Sequence, residues 1–217
     1  LKQNLTPFLK EENIHILNNF AQNYLIDKNL KVDTSILKIS YLSNLMEEKG
    51  IFLLLDSLHE LERKKIKYEA KIAGNIDSSL KNVILSKILK LKNTSYVGVV
   101  YNEEKKELLN WSNIFVLPTY YKMEGQPISI LEALATKNVI ISTNHAGIVD
   151  VIEDNKNGFL VEKKNSKSVT NKLIFLDENK SKILEICNYN KMYFMENFTI
   201  DIFSREFIKI IKDDAAT

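Results

Sequence analysis

Cysteine is almost missing from this chain: Cys187 stands alone among 217 residues. A lone cysteine excludes an internal disulfide and any multi-cysteine metal site. It reads as a small apolar residue on a helix. The three histidines, His15, His59 and His145, are far apart and show no ligand spacing of the H-E-x-x-H kind. Arginine is nearly as scarce: of 30 basic residues only Arg63 and Arg205 are arginine. Bidentate readout of bases or phosphates is therefore hard to build. A phosphate site here must lean on lysine, backbone amides and helix ends. Neither sign of charge dominates, since the formal net charge is +2, which argues against a dedicated nucleic-acid binder. No apolar run approaches the length a bilayer needs, and no signal peptide is visible, so a cytoplasmic location is the expectation. Internal repeats and low-complexity linkers are absent too.

What is present is apolar patterning. With 45% hydrophobic residues, the chain can close one good-sized core but is short for two. Short β-rich runs alternate with amphipathic segments. Strands are expected at 14–17, 36–42, 68–73, 95–100 (broken at Gly98), 114–117, 139–142 and 159–161. Helices are expected at 50–65, 80–91, 103–110, 128–136 and 148–152, and everything from Ser166 onward reads as helical, with a polar, frayed DDAAT end. The helical face at 80–91 is expected to comprise Leu80, Val83, Ile84, Ile88 and Leu91. This alternation predicts an α/β fold: a three-layer, Rossmann-like domain with a parallel sheet of about six strands, helices on both faces and a C-terminal helical tail. In such sheets ligands bind beyond the carboxyl ends of the strands.

The loop after the strand ending at Leu117 is the most informative. It runs from Tyr120 through Glu124, Gly125, Gln126 and Pro127 into a helix carrying Ile128, Ser129 and Glu132. Pro127 stands where a helix starts and a missing amide hydrogen is tolerated. The first-turn amides after it have no intrahelical acceptor, which makes an anion site suited to a diphosphate. Glu132, farther along the helix, could accept two vicinal hydroxyls of a ribose. On spacing alone, Glu124 reads as a solvated loop acid, and Glu132 as a residue that caps or pairs on a surface helix. A second loop, 43–50, places Asn44 and Lys49 just before a helix. Lys49 could reach an anion at the sheet edge or be an ordinary surface lysine, and Asn44 could donate to an oxygen or bond its own turn. Gly74 and Gly98 follow strands and would let a planar base approach, or serve as plain turn glycines. His145 reads as a solvated loop residue.

Taken in order, these segments resemble the C-terminal domain of the family 4 retaining glycosyltransferases, which have the two-Rossmann-domain GT-B fold. The matching pieces are Asn13–Asn19, Ser43-Asn44-Leu45 with Glu48-Lys49-Gly50, Gly74, Tyr96-Val97-Gly98, and Phe115–Thr119 leading into Glu124-Gly125-Gln126-Pro127 and Leu131–Ala135. Ile141–Asn144, Ala146–Ile148 and the turn Asn157–Val161 complete the series. The resemblance implies a nucleotide-diphosphate sugar as partner and sugar transfer to an acceptor hydroxyl with retention. Lys49 and Glu124 would be catalytic. Asn44, Gly74, Gly98, Gly125, Gln126, Pro127, Ile128, Ser129 and Glu132 would bind the donor. Many members carry arginine where Asn44 stands, which throws charge neutralisation onto Lys49 and the helix amides.

No cofactor and no metal are expected, since the loops lack an Asp-x-Asp triplet. The resemblance divides the chain into a lead-in (1–36) from a missing N-terminal Rossmann domain, a donor-binding domain (37–198) and a C-terminal helix with tail (199–217). The fragment is expected to be inactive alone, and the full-length enzyme to be peripheral at the membrane. Rival readings are another GT-B enzyme such as a nucleotide-sugar epimerase, and a non-catalytic α/β module such as a receiver domain. The latter needs acids clustered at strand ends, which Ser43-Asn44 does not supply. A dehydrogenase would need G-x-G-x-x-G after a strand, and none occurs. Alanine at Lys49 or Glu132 is expected to abolish nucleotide binding with little change in the unliganded melting temperature.

Overall fold

The computed structural model describes residues 5–11, 14–27 and 29–214. Asn13, the lead-in residues 1–4, 12 and 28, and the tail residues 215–217 lie outside the described residues. Six parallel strands form one sheet: β1 (Leu37–Leu42), β2 (Tyr68–Ala73), β3 (Thr94–Gly98), β4 (Ile114–Leu117), β5 (Val139–Thr143) and β6 (Gly158–Val161), in the order β3-β2-β1-β4-β5-β6. Between them run α1 (Ile51–Arg63), α2 (Lys81–Leu89), α3 (Asn102–Trp111) and α4 (Ile128–Ala135). Three helices follow the sheet: α5 (Ser166–Glu178), α6 (Lys180–Asn197) and α7 (Ile200–Asp214).

Strand position explains strand composition. Every residue of central β4 and of β5 is buried, as continuous apolar runs covered on both faces require, whereas edge strand β3 is partly exposed throughout. The chain moves outward from β1 to β3, returns beside β1 with β4, then moves outward the other way. With right-handed crossovers, that reversal puts α1 and α2 on one face and α4 on the other. Helix α5 packs against α1, and α6 against α4 and β5. The crevice at which the order reverses lies between the carboxyl ends of β1 and β4, the position where open α/β sheets bind ligands.

Two expected elements are replaced. Residues 14–20 form no strand; Ile16 is 69% exposed, and only Ala21, farther on, makes an isolated bridge, to Thr199. Without a sheet neighbour its backbone has no ladder to join. The expected helix at 148–152 is instead a 3-10 turn, Ala146–Ile148, followed by a hydrogen-bonded turn from Val151 and Ile152 back to Ile148. Gly147 donates to Gly125 there, and a side chain on it would press on that carbonyl at 2.9 Å. One smaller shift occurs: Val83 is 49% exposed and outside the α2 core face.

Candidate functional site

The loops after β1 and β4 are locked together at the crevice. Gly50, at φ +81, precedes α1, and a side chain on it would lie 2.3 Å from the Pro118 carbonyl oxygen. The Tyr120 amide donates to Glu48 O at 2.8 Å, and the Thr119 hydroxyl oxygen stands 3.3 Å from the same carbonyl. The buried Tyr41 hydroxyl bonds the carbonyls of Asn44 and Lys49 from below, at 3.3 and 3.2 Å. Burial holds that phenol above its ordinary pKa, so it stays a neutral donor.

This bracing brings Lys49 to Glu124. The ammonium contacts both carboxylate oxygens, Oε1 at 3.0 Å and Oε2 at 2.8 Å, and lies 4.7 Å from the centre of the Tyr121 ring. Thr119 donates to Glu124 Oε2 at 2.9 Å. Both charges are largely withdrawn from solvent, with side chains 16% and 8% exposed.

The structure makes Pro127 the cap before α4, not its first turn, with an extended ψ of 119°. Its carbonyl accepts from Ile130 at 3.1 Å. The amides of Ile128 and Ser129 make no hydrogen bond among the described residues, leaving the open helix end that an anion site needs. Gln126 is held from outside: its side-chain oxygen accepts from the Asn19 amide at 2.6 Å, and its carbonyl from Asn19 Nδ2 at 3.1 Å. No atom stands within 4 Å of where a Gly125 side chain would begin.

Glu132 faces a cleft of about 540 Å³ together with Asn44, Gly74, Val99, Tyr101 and Lys105. Asn44 is exposed. Gly74 has φ +133, and a side chain there would meet the Ser43 carbonyl oxygen at 1.8 Å, so only glycine fits. Gly98 is one step removed: its carbonyl accepts from the Gly74 amide at 2.8 Å, but it does not line the cleft.

Three participants escaped the sequence reading. Lys105 pairs with Glu132 Oε1 at 2.7 Å, yet nothing in sequence separates it from the other lysines of a polar helix. The Thr119 hydroxyl holds Glu124, and the half-buried His145 ring, expected to be solvated, contacts Tyr121 O at 2.8 Å through Nε2. The ion pairs also revise the expectation for alanine at Lys49 or Glu132. Each removal strands a charge, so unliganded stability should fall.

The profile of the family described as "Glycosyl transferases group 1" matches residues 24–193. The chain belongs to that family. Among its curated relatives, the amylovoran biosynthesis glycosyltransferase AmsK of Erwinia amylovora is 28% identical over 171 residues, 73% of this chain and 41% of the relative. The chain spans about two fifths of the length of the first curated relatives it matches. Among solved structures, a glycosyltransferase from Rickettsia africae superposes with TM-score 0.84 at 22% identity, covering 98% of this chain and 60% of that one. Anabaena Alr3699/HepE, solved in complex with UDP and glucose, superposes with TM-score 0.78 at 15% identity, covering 96% of this chain and 59% of that one. These neighbours share the fold described above.

Proposed function

We propose that this chain is the donor-binding half of a family 4 retaining glycosyltransferase, and that the crevice between β1 and β4 holds the diphosphate of a nucleotide sugar. The observation that carries the reading is the pairing of Lys49 with Glu124, a residue of the loop that leads into the open first turn of α4, the helix whose Glu132 lines the cleft beside Asn44 and Gly74. In this reading the Ile128 and Ser129 amides and the Lys49 ammonium hold the phosphates, and Glu132 takes the ribose hydroxyls. Asn44 donates from the rim, and the backbone at Gly74, braced by Gly98, flanks the base. Gly125, Gln126 and Pro127 shape the approach to the helix end. Glu124 contacts hydroxyls of the transferred sugar near its reacting carbon.

The chemistry asks little more of this half. As the bond from the sugar carbon to the phosphate oxygen breaks, its electron pair leaves with the diphosphate and the sugar becomes oxocarbenium-like. Lys49 and the helix dipole stabilise the growing negative charge, a preorganised contribution of the oxyanion-hole type. Glu124 withdraws from Lys49 as the donor phosphate competes for the ammonium. Neutralisation is assigned to these groups, without a metal. Retention rests on the order of motifs, and the acceptor belongs to a preceding Rossmann domain. The HepE structure with UDP and glucose supports a uridine nucleotide as the first ligand to try.

A thermal-shift panel of UDP, GDP and ADP on the 217-residue chain tests this. Bound ligand raises the melting temperature by mass action. At least one diphosphate should produce a saturable rise that EDTA leaves unchanged, with no sugar transfer by the chain alone. No shift with any of the three at millimolar concentration rejects the reading.

A further inference from the structure

Glu132 sits on the buried stretch of α4, where every residue from Ile130 to Ala135 is buried. A carboxylate there needs a counter-ion, because an unpaired buried charge is strongly unfavourable. Helix α4, Ile-Ser-Ile-Leu-Glu-Ala-Leu-Ala, offers none of its own. The counter-ion comes from α3. Lys105 Nζ reaches Glu132 Oε1 at 2.7 Å, with side-chain exposures of 23% and 8%.

The start of α3 fixes where Lys105 stands. Asn102 adopts φ +44, a left-handed conformation that asparagine tolerates better than most residues. The Lys105 amide closes the first turn onto Tyr101 O at 3.3 Å. Tyr101, Lys105 and Glu132 all line the cleft that also contains Asn44 and Gly74. The pair therefore stands in the wall of the cleft. Lys105 occupies one carboxylate oxygen, and the other, Oε2, has no partner among the described residues.

We propose that Lys105 is a positioning residue that fixes the Glu132 carboxylate, presents Oε2 to the ligand, and thereby sets a preference for ribose over 2′-deoxyribose. This rests on the reading of the cleft as a nucleotide site. A carboxylate held through Oε1 keeps both lone pairs of Oε2 for the two vicinal ribose hydroxyls, of which a 2′-deoxyribose offers one fewer. A site built to bond a hydroxyl rejects the analogue lacking it, since its own buried polar group is left unpaired. Without Lys105 the carboxylate can rotate or take up water, and that discrimination fades.

Calorimetry on the chain with UDP, GDP and ADP, each beside its 2′-deoxy form and beside inorganic pyrophosphate, tests the proposal. The unsubstituted chain should bind its preferred ribonucleotide about tenfold or more tighter than the deoxy form, as for a charge-assisted hydrogen bond. Lys105→Met should bring the ratio to within about threefold while pyrophosphate binding holds. Lys105→Arg, which restores the cation, should recover the ratio. Because each ratio is taken within one protein, a lower stability of the variant cancels. A full ratio in Lys105→Met, or loss of pyrophosphate binding with it, overturns the positioning role and leaves the nucleotide site standing. A ribonucleotide bound without preference overturns the role of Glu132 and this proposal together. No binding of any nucleotide to the unsubstituted chain removes the site reading itself.

Discussion

Lys49 and Glu124 neutralise each other across the crevice, with both carboxylate oxygens within 3.0 Å of the ammonium. One group comes from the loop after β1 and the other from the loop after β4, so the pair ties the two halves of the sheet at their point of reversal. On the proposed reading, a donor diphosphate exchanges places with Glu124 on the ammonium.

Lys49→Ala should lower unliganded stability by about 1–3 kcal/mol, the cost of a desolvated charge left with one hydroxyl partner and some solvent contact. Urea denaturation measures it. The double variant Lys49→Ala/Glu124→Ala should be less destabilised than the two single losses summed, a coupling that a double-mutant cycle isolates. Additive losses would show that the pair contributes nothing.

Gly74 and Gly98 should behave differently. Gly74→Ala combines φ +133 with a 1.8 Å clash against backbone, so a loss of about 3 kcal/mol or more is expected. Gly98→Ala meets no atom within 4 Å and bears only the strain of φ +81, about 1 kcal/mol. Equal losses in chemical denaturation would contradict the assigned backbone roles.

The strands and helices that carry the crevice were legible because their signals are local. Tyr68–Ala73 and Ile114–Leu117 are bounded as their apolar runs and the following Gly74 and Pro118 dictate. Residues 14–17 have the same β-rich look but no neighbour to pair with, and neighbours are not written locally. The 148–152 stretch reads as helical until Gly147 has to fit against Gly125, a contact between distant loops. Side-chain pairing was the least visible. Lys49 is marked by its place before a helix, but Lys105 has no such marker, and its partner lies 27 residues away on a different helix.

Cys187 gives a pH dependence whose sign is fixed. Burial lifts its thiol from 9.0 to about 12. Between those values the unfolded chain releases a proton that the folded chain retains, so the unfolded state binds fewer protons and stability falls as pH rises. The contribution is intact below pH 9 and declines above it, by up to about 1.4 kcal/mol per pH unit. Denaturation midpoints from pH 8 to 10 should fall in the native sequence and fall less in Cys187→Ala. A rise, or the same slope in both, would contradict the buried thiol.

The most direct measurement is a crystal structure of the chain with a bound nucleoside diphosphate. Diphosphate oxygens are expected within hydrogen-bonding distance of the Ile128 or Ser129 amides and of Lys49 Nζ, with Lys49 drawn off Glu124 and the ribose against Glu132. A diphosphate seated elsewhere, for instance in the polar groove lined by Asp56, Arg63 and Lys167, with Lys49 still holding both oxygens of Glu124, would contradict it.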